Sequence, residues 1–279
     1  MNRFLPAIGL VLAVIISAVL TLWPTDDPTA VAEKFAQRLG EEVPGLQVLP
    51  AGEFNLYLAK DGRVWGLNLD ELQKRCREGA GKCKEAGSAL IAEVSRTSAS
   101  PWVAEMPRLR PTFSGPPAGS PLAKEVLSQA WVGDLVLRYD FPAKPLSEYM
   151  TPAFARAFKI DPRTLQARAI AEMDSAPEAP VLRPLLGKRG VSYLEAVGSD
   201  PAGEVLSRSR MQVLSQRTGV SKFYVGFPTR HMVLFSNANT AEGLQDMKVA
   251  VEDLRRTFGA QLVSDRIYVL EHGELAVLP

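Results

Sequence analysis

Val31, Phe35 and Leu39 recur at every fourth position within residues 28–40, the period of one face of an α-helix. Phe54, Leu56 and Leu58 then alternate with Asn55 and Tyr57, the pattern of a strand with two distinct faces. Asp61-Gly62 supplies a two-residue hairpin turn, and residues 64–67 form the returning strand. Asn68 or Asp70 is placed to cap the next helix. A further helix over residues 85–95 closes a first small α+β unit, residues 28–96.

Between Thr97 and Pro121 the periodicity stops. Pro101, Pro107, Pro111, Pro116, Pro117 and Pro121, with Gly115 and Gly119, forbid a long helix or a central strand. Residues 97–121 read as a proline-rich linker, with Trp102, Val103 and Met106 available to pack against a neighbour.

A larger unit, residues 122–279, repeats the same grammar. "GDLVLRYDF" is a buried strand with "SEYMT" as its partner. Asp161-Pro162 opens a helix in which Leu165, Ala169, Ile170 and Met173 share one side. After the break "SAPEAPVLRP" come a short strand at residues 191–197 and a helix at residues 203–215. "KFYVGF" and "HMVLFS" read as strands around a turn, with Met232, Leu234 and Ser236 on one face and Val233 and Phe235 on the other. Asn239 with Glu242 resembles a capping box. Leu244, Met247, Val251, Leu254 and Phe258 then give a helical stripe expected to cover that sheet, and Gly259 supplies its end. "IYVLEHGELAVL" is a hairpin around His272-Gly273. Strand pairs beside helices, without βαβ alternation, predict an α+β fold of antiparallel or mixed sheets with helices on one face.

The N-terminal segment changes the picture. "MNRFLPAIGLVLAVIISAVLTLWPTDD" carries no charge between Arg3 and Asp26. Its apolar run, Phe4 to Trp23, is about 30 Å long as a helix, enough to cross a bilayer core. A secretory signal usually has a shorter apolar region ending near a small-x-small site, and here the first such triplet is Ala30-Val31-Ala32. The pattern favours an uncleaved anchor at residues 1–24, with a cleaved signal as the alternative. Arg3 precedes the span, whereas Asp26, Asp27 and Glu33 follow it. That asymmetry places the N-terminus in the cytoplasm and the folded part outside, in the periplasm or at the cell surface.

Cysteine usage fits an oxidising compartment. The chain has two cysteines, Cys76 and Cys83, in "RCREGAGKCKE". On an unbroken helix they would stand about 10 Å apart, too far to bridge. Gly79 and Gly81 break the helix, so a disulfide is the favoured reading and two free thiols the alternative.

A net charge of +1 offers no basic face for nucleic acid. No Walker loop, GxGxxG, HExxH, CxxC or GxSxG sequence is present, so no nucleotide, cofactor or metal site is expected. There are two histidines. His272 precedes a turn glycine and reads as conformational. His231 lies beside Arg230, but Ser236 is roughly 16 Å away along the strand and cannot be its nucleophile. Glu172 and Asp174 end a helix, where carboxylates are usually solvated. Arg138 interrupts an apolar strand and is therefore either outward-facing, the favoured reading, or the holder of an anion. Arg138, Arg230 and His231 are the weak candidates for a ligand site, and no catalytic set is complete.

The order of "VWGLNLDELQKR", "GDLVLRYDF…SEYMTPAFARAFKIDPRTLQARAIAEM" and "FYVGFPTRHMVLFS" resembles the YtpQ-like family of bacterial proteins, over about residues 29–278. Two positions depart from it. The family tends to carry Asp where His231 stands and Asn where Glu172 stands. The family has no established activity, so the resemblance implies a fold and no chemistry. The expectation is a membrane-tethered, non-catalytic extracytoplasmic module that binds a small ligand or another envelope protein. The alternatives are an envelope hydrolase built on Arg138, Arg230 and His231, or a structural accessory of a membrane complex.

Overall fold

The computed structural model describes residues 27–278 except 52–53, 102–107, 114, 118, 142–144, 176–179, 189, 197–199, 230–231 and 259–262. The apolar N-terminal run, Arg230 and His231 therefore lie outside the described residues. Among the described residues, no helix is long and apolar enough to cross a membrane. The fold is α+β: two antiparallel sheets and eight α-helices among the described residues. Contacts group the chain into two compact units, one of residues 1–56 and 67–101, the other of residues 57–66 and 102–279.

In the first unit, α1 (Pro28–Glu42) starts where Asp27 accepts a hydrogen bond from the Thr29 amide at 2.9 Å. Val31, Phe35 and Leu39 are buried along it, as the four-residue spacing predicts. β1 (Gln47–Pro50) leads to β2 (Asn55–Lys60) and β3 (Arg63–Asn68), a hairpin whose Asp61 and Gly62 both have positive φ, 52° and 74°. Two positive φ values are the requirement of the tight turn that matches strand twist.

Two further helices, α2 (Asp70–Arg77) and α3 (Ala80–Ala99), meet at Gly79. Its φ of 134° is open to glycine and strained for other residues. Gly79 alone makes the break, since Gly81 lies inside α3, which is longer than its apolar pattern implied. Cys76 and Cys83 are brought to a Cα separation of 4.1 Å and form a disulfide.

The second unit contains residues 57–66, most of that hairpin, and two short strands, β4 (Arg110–Thr112) and β5 (Ser128–Ala130). With them go β6 (Val136–Phe141), β7 (Leu146–Tyr149), and the helices α4 (Pro152–Ala157) and α5 (Leu165–Asp174). The first sheet continues from β3 through β7 and β6 to β4, and β5 also pairs with β6. Thus part of the proline-rich stretch is a strand. It is short and at the sheet edge, where a proline's missing N–H is tolerated, and Leu109 and Phe113 beside it are buried.

β8 (Val181–Pro184) and β9 (Val191–Glu195) precede α6 (Pro201–Glu204) and α7 (Arg208–Thr218). Then follow β10 (Lys222–Thr229), β11 (Met232–Asn237), α8 (Ala241–Phe258), β12 (Ile267–Glu271) and β13 (Glu274–Val277). The second sheet runs β13-β12-β10-β11-β9-β8. α8 packs Met247, Ala250 and Val251 on the face holding Leu234 and Val191. The opposite face buries Phe223, Val225, Phe227, Val233 and Phe235 in the main core with Leu137, Tyr139 and Met211.

Hence this sheet is covered on both faces, where the sequence suggested helices on one. The helix also begins one residue later than the Asn239 cap implied. Asn237 Oδ1 accepts from the Asn239 amide at 2.9 Å, so its carboxamide organises the turn before α8.

Candidate functional site

β6 alternates strictly. Leu137, Tyr139 and Phe141 enter the main core, which turns Arg138 and Asp140 to the other face. The neighbouring strands set what surrounds them. Arg138 lies opposite Thr112 of β4 and Ser128 of β5, and Asp140 lies opposite Arg110 of β4 and Tyr149 of β7. Partners across an antiparallel ladder share a face, so this side of the sheet collects polar groups.

Asp140 is satisfied. Arg110 donates to it from Nε at 2.8 Å and from a terminal nitrogen at 2.6 Å, a two-bond fork on a carboxylate that is 1% exposed. Burial acts to lower the Arg110 pKa, but the hydrogen bond and charge of Asp140, with the charge of Asp200, raise it on balance. Asp200 accepts from Thr112 Oγ1 at 2.7 Å and from the Ala202 amide at 3.1 Å, which starts α6.

Arg138 differs. It is 8% exposed, which corrects the outward-facing reading. Its Nε is sealed from solvent with no hydrogen-bond partner, and among the described residues no carboxylate pairs with it. Burial lowers its pKa, opposed by its electrostatic interactions with Tyr149 and Tyr57. The two tyrosine rings are 6.0 Å apart. Gly115 closes another side: a Cβ there would come within 2.5 Å of Arg138 Cδ and 2.9 Å of its Nε. Only a glycine leaves room for the guanidinium in this position.

Other charged groups of the second unit are also paired or hydrogen-bonded. Glu172 is not a free helix-end carboxylate, because it accepts from the Leu109 amide at 2.6 Å and from Arg168 at 2.8 Å. Asp174 accepts from Ser209 Oγ at 3.0 Å and also from Ser207. Glu204, 0% exposed, pairs with Arg210, which also donates to the Met173 carbonyl at 3.3 Å. Arg63 forks onto Glu148 at 2.6 and 2.9 Å and lies over the Trp65 ring. Asp134 accepts from Ser264 at 2.8 Å and from Tyr268, whose phenol pKa is raised by burial and by that carboxylate.

The serines near candidate bases are also in use. Ser207 Oγ accepts from the Arg210 amide at 3.2 Å, and Ser236 donates to the Gly243 carbonyl at 2.8 Å. His272, with a φ of 53° beside Gly273 at 78°, serves the second tight turn. Arg230 and His231 are outside the described residues, so the constellation of Arg138 with those two is represented here by Arg138. Among the described residues, no group of three or more His, Cys, Asp and Glu could hold a metal ion.

Sequence reasoning pointed to Arg138 but missed the Arg110–Asp140 and Glu204–Arg210 pairs. The first pair comes from separate strands. The second straddles a break between α6 and α7, so no helical spacing announces it. No known protein family, curated protein or solved structure matches the chain. The resemblance to the YtpQ-like family rests on the sequence motifs alone.

Proposed function

We propose that the chain is a membrane-tethered, extracytoplasmic binding module that performs no chemistry of its own. The observation that carries this reading is how the buried charges are used. Asp140, Glu148 and Glu204 are each held in an ion pair with an arginine. General acid–base catalysis needs a carboxylate or imidazole within reach of substrate and poised to exchange a proton. A carboxylate locked against an arginine serves the fold instead. Arg138 is the contrasting case, a buried cation left available for recognition.

The Cys76–Cys83 disulfide supports the location, since such bonds persist where the environment is oxidising. The uncharged run ahead of Asp26 supports the tether.

The test is a panel of fluorogenic ester, phosphoester, glycoside and peptide substrates offered to the full-length protein in detergent. The reading expects no turnover above that of heat-unfolded protein. Turnover that co-purifies with the folded chain and disappears in the Arg138→Gln variant would replace it with the hydrolase alternative.

A further inference from the structure

Resting on the binding-module reading, we infer that Arg138 is the recognition group for a small ligand bearing a carboxylate. The starting point is an imbalance on one face of the first sheet. Arg110 and Arg138 lie on the same side of adjacent strands, opposite Asp140 and Thr112 respectively. Asp140 neutralises Arg110 through two hydrogen bonds. Arg138 has no such counter-charge among the described residues, and its Nε is buried without an acceptor. An uncompensated buried cation opposes folding, and a polar group sealed without a partner adds to that cost. A bound anion at the guanidinium removes the first of these penalties by neutralising the charge.

The surroundings narrow the class of anion. One uncompensated positive charge matches one negative charge. A phosphate monoester carries about −1.5 to −2 near neutral pH and would bury an excess. A guanidinium meets a carboxylate in its own plane through two parallel hydrogen bonds. Gly115 crowds the Nε side, so the terminal nitrogens are the donors offered to the ligand. Tyr57 and Tyr149, buried rings with centroids 6.0 Å apart, both interact electrostatically with the Arg138 charge. Aromatic groups near the charge favour a flat or apolar body behind the carboxylate.

The test uses the full-length protein in detergent, with thermal unfolding followed at constant ionic strength. The probes are benzoate, its neutral analogue benzamide, and inorganic phosphate. The inference expects a concentration-dependent rise in Tm with benzoate, none with benzamide and a smaller one with phosphate. Arg138→Gln weakens the benzoate effect at least about tenfold, the loss expected for a charged hydrogen bond. Gly115→Ala keeps the charge but displaces the guanidinium, and it should abolish the effect as well, which guards against misfolding of the arginine variant.

Equal responses to benzoate and benzamide, or a benzoate response surviving both substitutions, would overturn the assignment of Arg138. A phosphate effect exceeding that of benzoate would overturn the carboxylate class. Neither result touches the binding-module reading, which falls on substrate turnover instead.

Discussion

Arg110 grips Asp140 across β4 and β6 through two hydrogen bonds, while Arg138, two residues before Asp140 on the same strand, is buried opposite Thr112 with no ion-pair partner among the described residues. Two arginines on one polar face thus have opposite roles. The first closes the sheet edge, and the second is the one proposed to meet a ligand. For the first role, Asp140→Asn should cost about 3 kcal/mol, because it leaves a largely buried arginine uncompensated. Urea denaturation of the full-length protein measures it. A loss below about 1 kcal/mol would mean that the pair is solvent-relaxed.

Gly203 tests how tightly α6 sits on that edge. A Cβ there would fall 2.3 Å from the Pro111 carbonyl oxygen, a backbone atom that cannot rotate away. Gly203→Ala should therefore destabilise by about 1–3 kcal/mol through overpacking, even though alanine favours helices. A stabilised variant would show that α6 and β4 are less closely apposed.

The compartment gives the third prediction. In right-side-out membrane vesicles an added protease should digest the folded domain, and in inverted vesicles it should not. Thiol alkylation before and after reduction should label Cys76 and Cys83 only after reduction. Cys83→Ala should lower stability by about 2–3 kcal/mol, the loop-closure contribution of so short a bridge. Protection in right-side-out vesicles, or full labelling without reductant, would place the domain in the cytoplasm.

Alkaline pH gives the fourth. Burial pushes the Tyr139 phenol up to about 12, and Tyr268 is raised by burial and by Asp134. Both folded values exceed the unfolded value of about 10. The stability tied to the protonated phenols is then fully present below about pH 10 and is lost as pH rises through the folded values. Stability should fall from about pH 10 upward, with phenolate absorbance appearing as the chain unfolds. Tyr139→Phe should make that fall shallower, and an unchanged slope would show that Tyr139 does not contribute to it.

Elements with a strong period were legible in the sequence. The stripe of Leu244, Met247, Val251 and Leu254 does lie on α8, and its Met247, Val251 and Leu254 pack on the Leu234 side of β11. Asp61-Gly62 and His272-Gly273 were readable as turns because few dipeptides accept two positive φ values. Arg138 was misread as outward-facing for a physical reason. Alternation says only that it points away from Leu137 and Tyr139, not that the chain at Gly115 comes back against that side. Long-range closure of this kind leaves no periodic mark. The same holds for Glu172, whose partner amide at Leu109 belongs to the proline-rich stretch. Of the proposed site, the residue was legible and its burial was not.

The central claim is that the charge of Arg138 serves a ligand and not the fold. The measurement that tests it most directly is the unfolding free energy of Arg138→Met without added ligand. Methionine replaces the long alkyl stem and removes the buried charge. The account predicts unchanged stability or a gain of about 1–2 kcal/mol, as when unpaired buried charge gives way to a well-packed apolar side chain. A loss of about 3 kcal/mol or more would show that Arg138 is tied into the structure and would contradict the account.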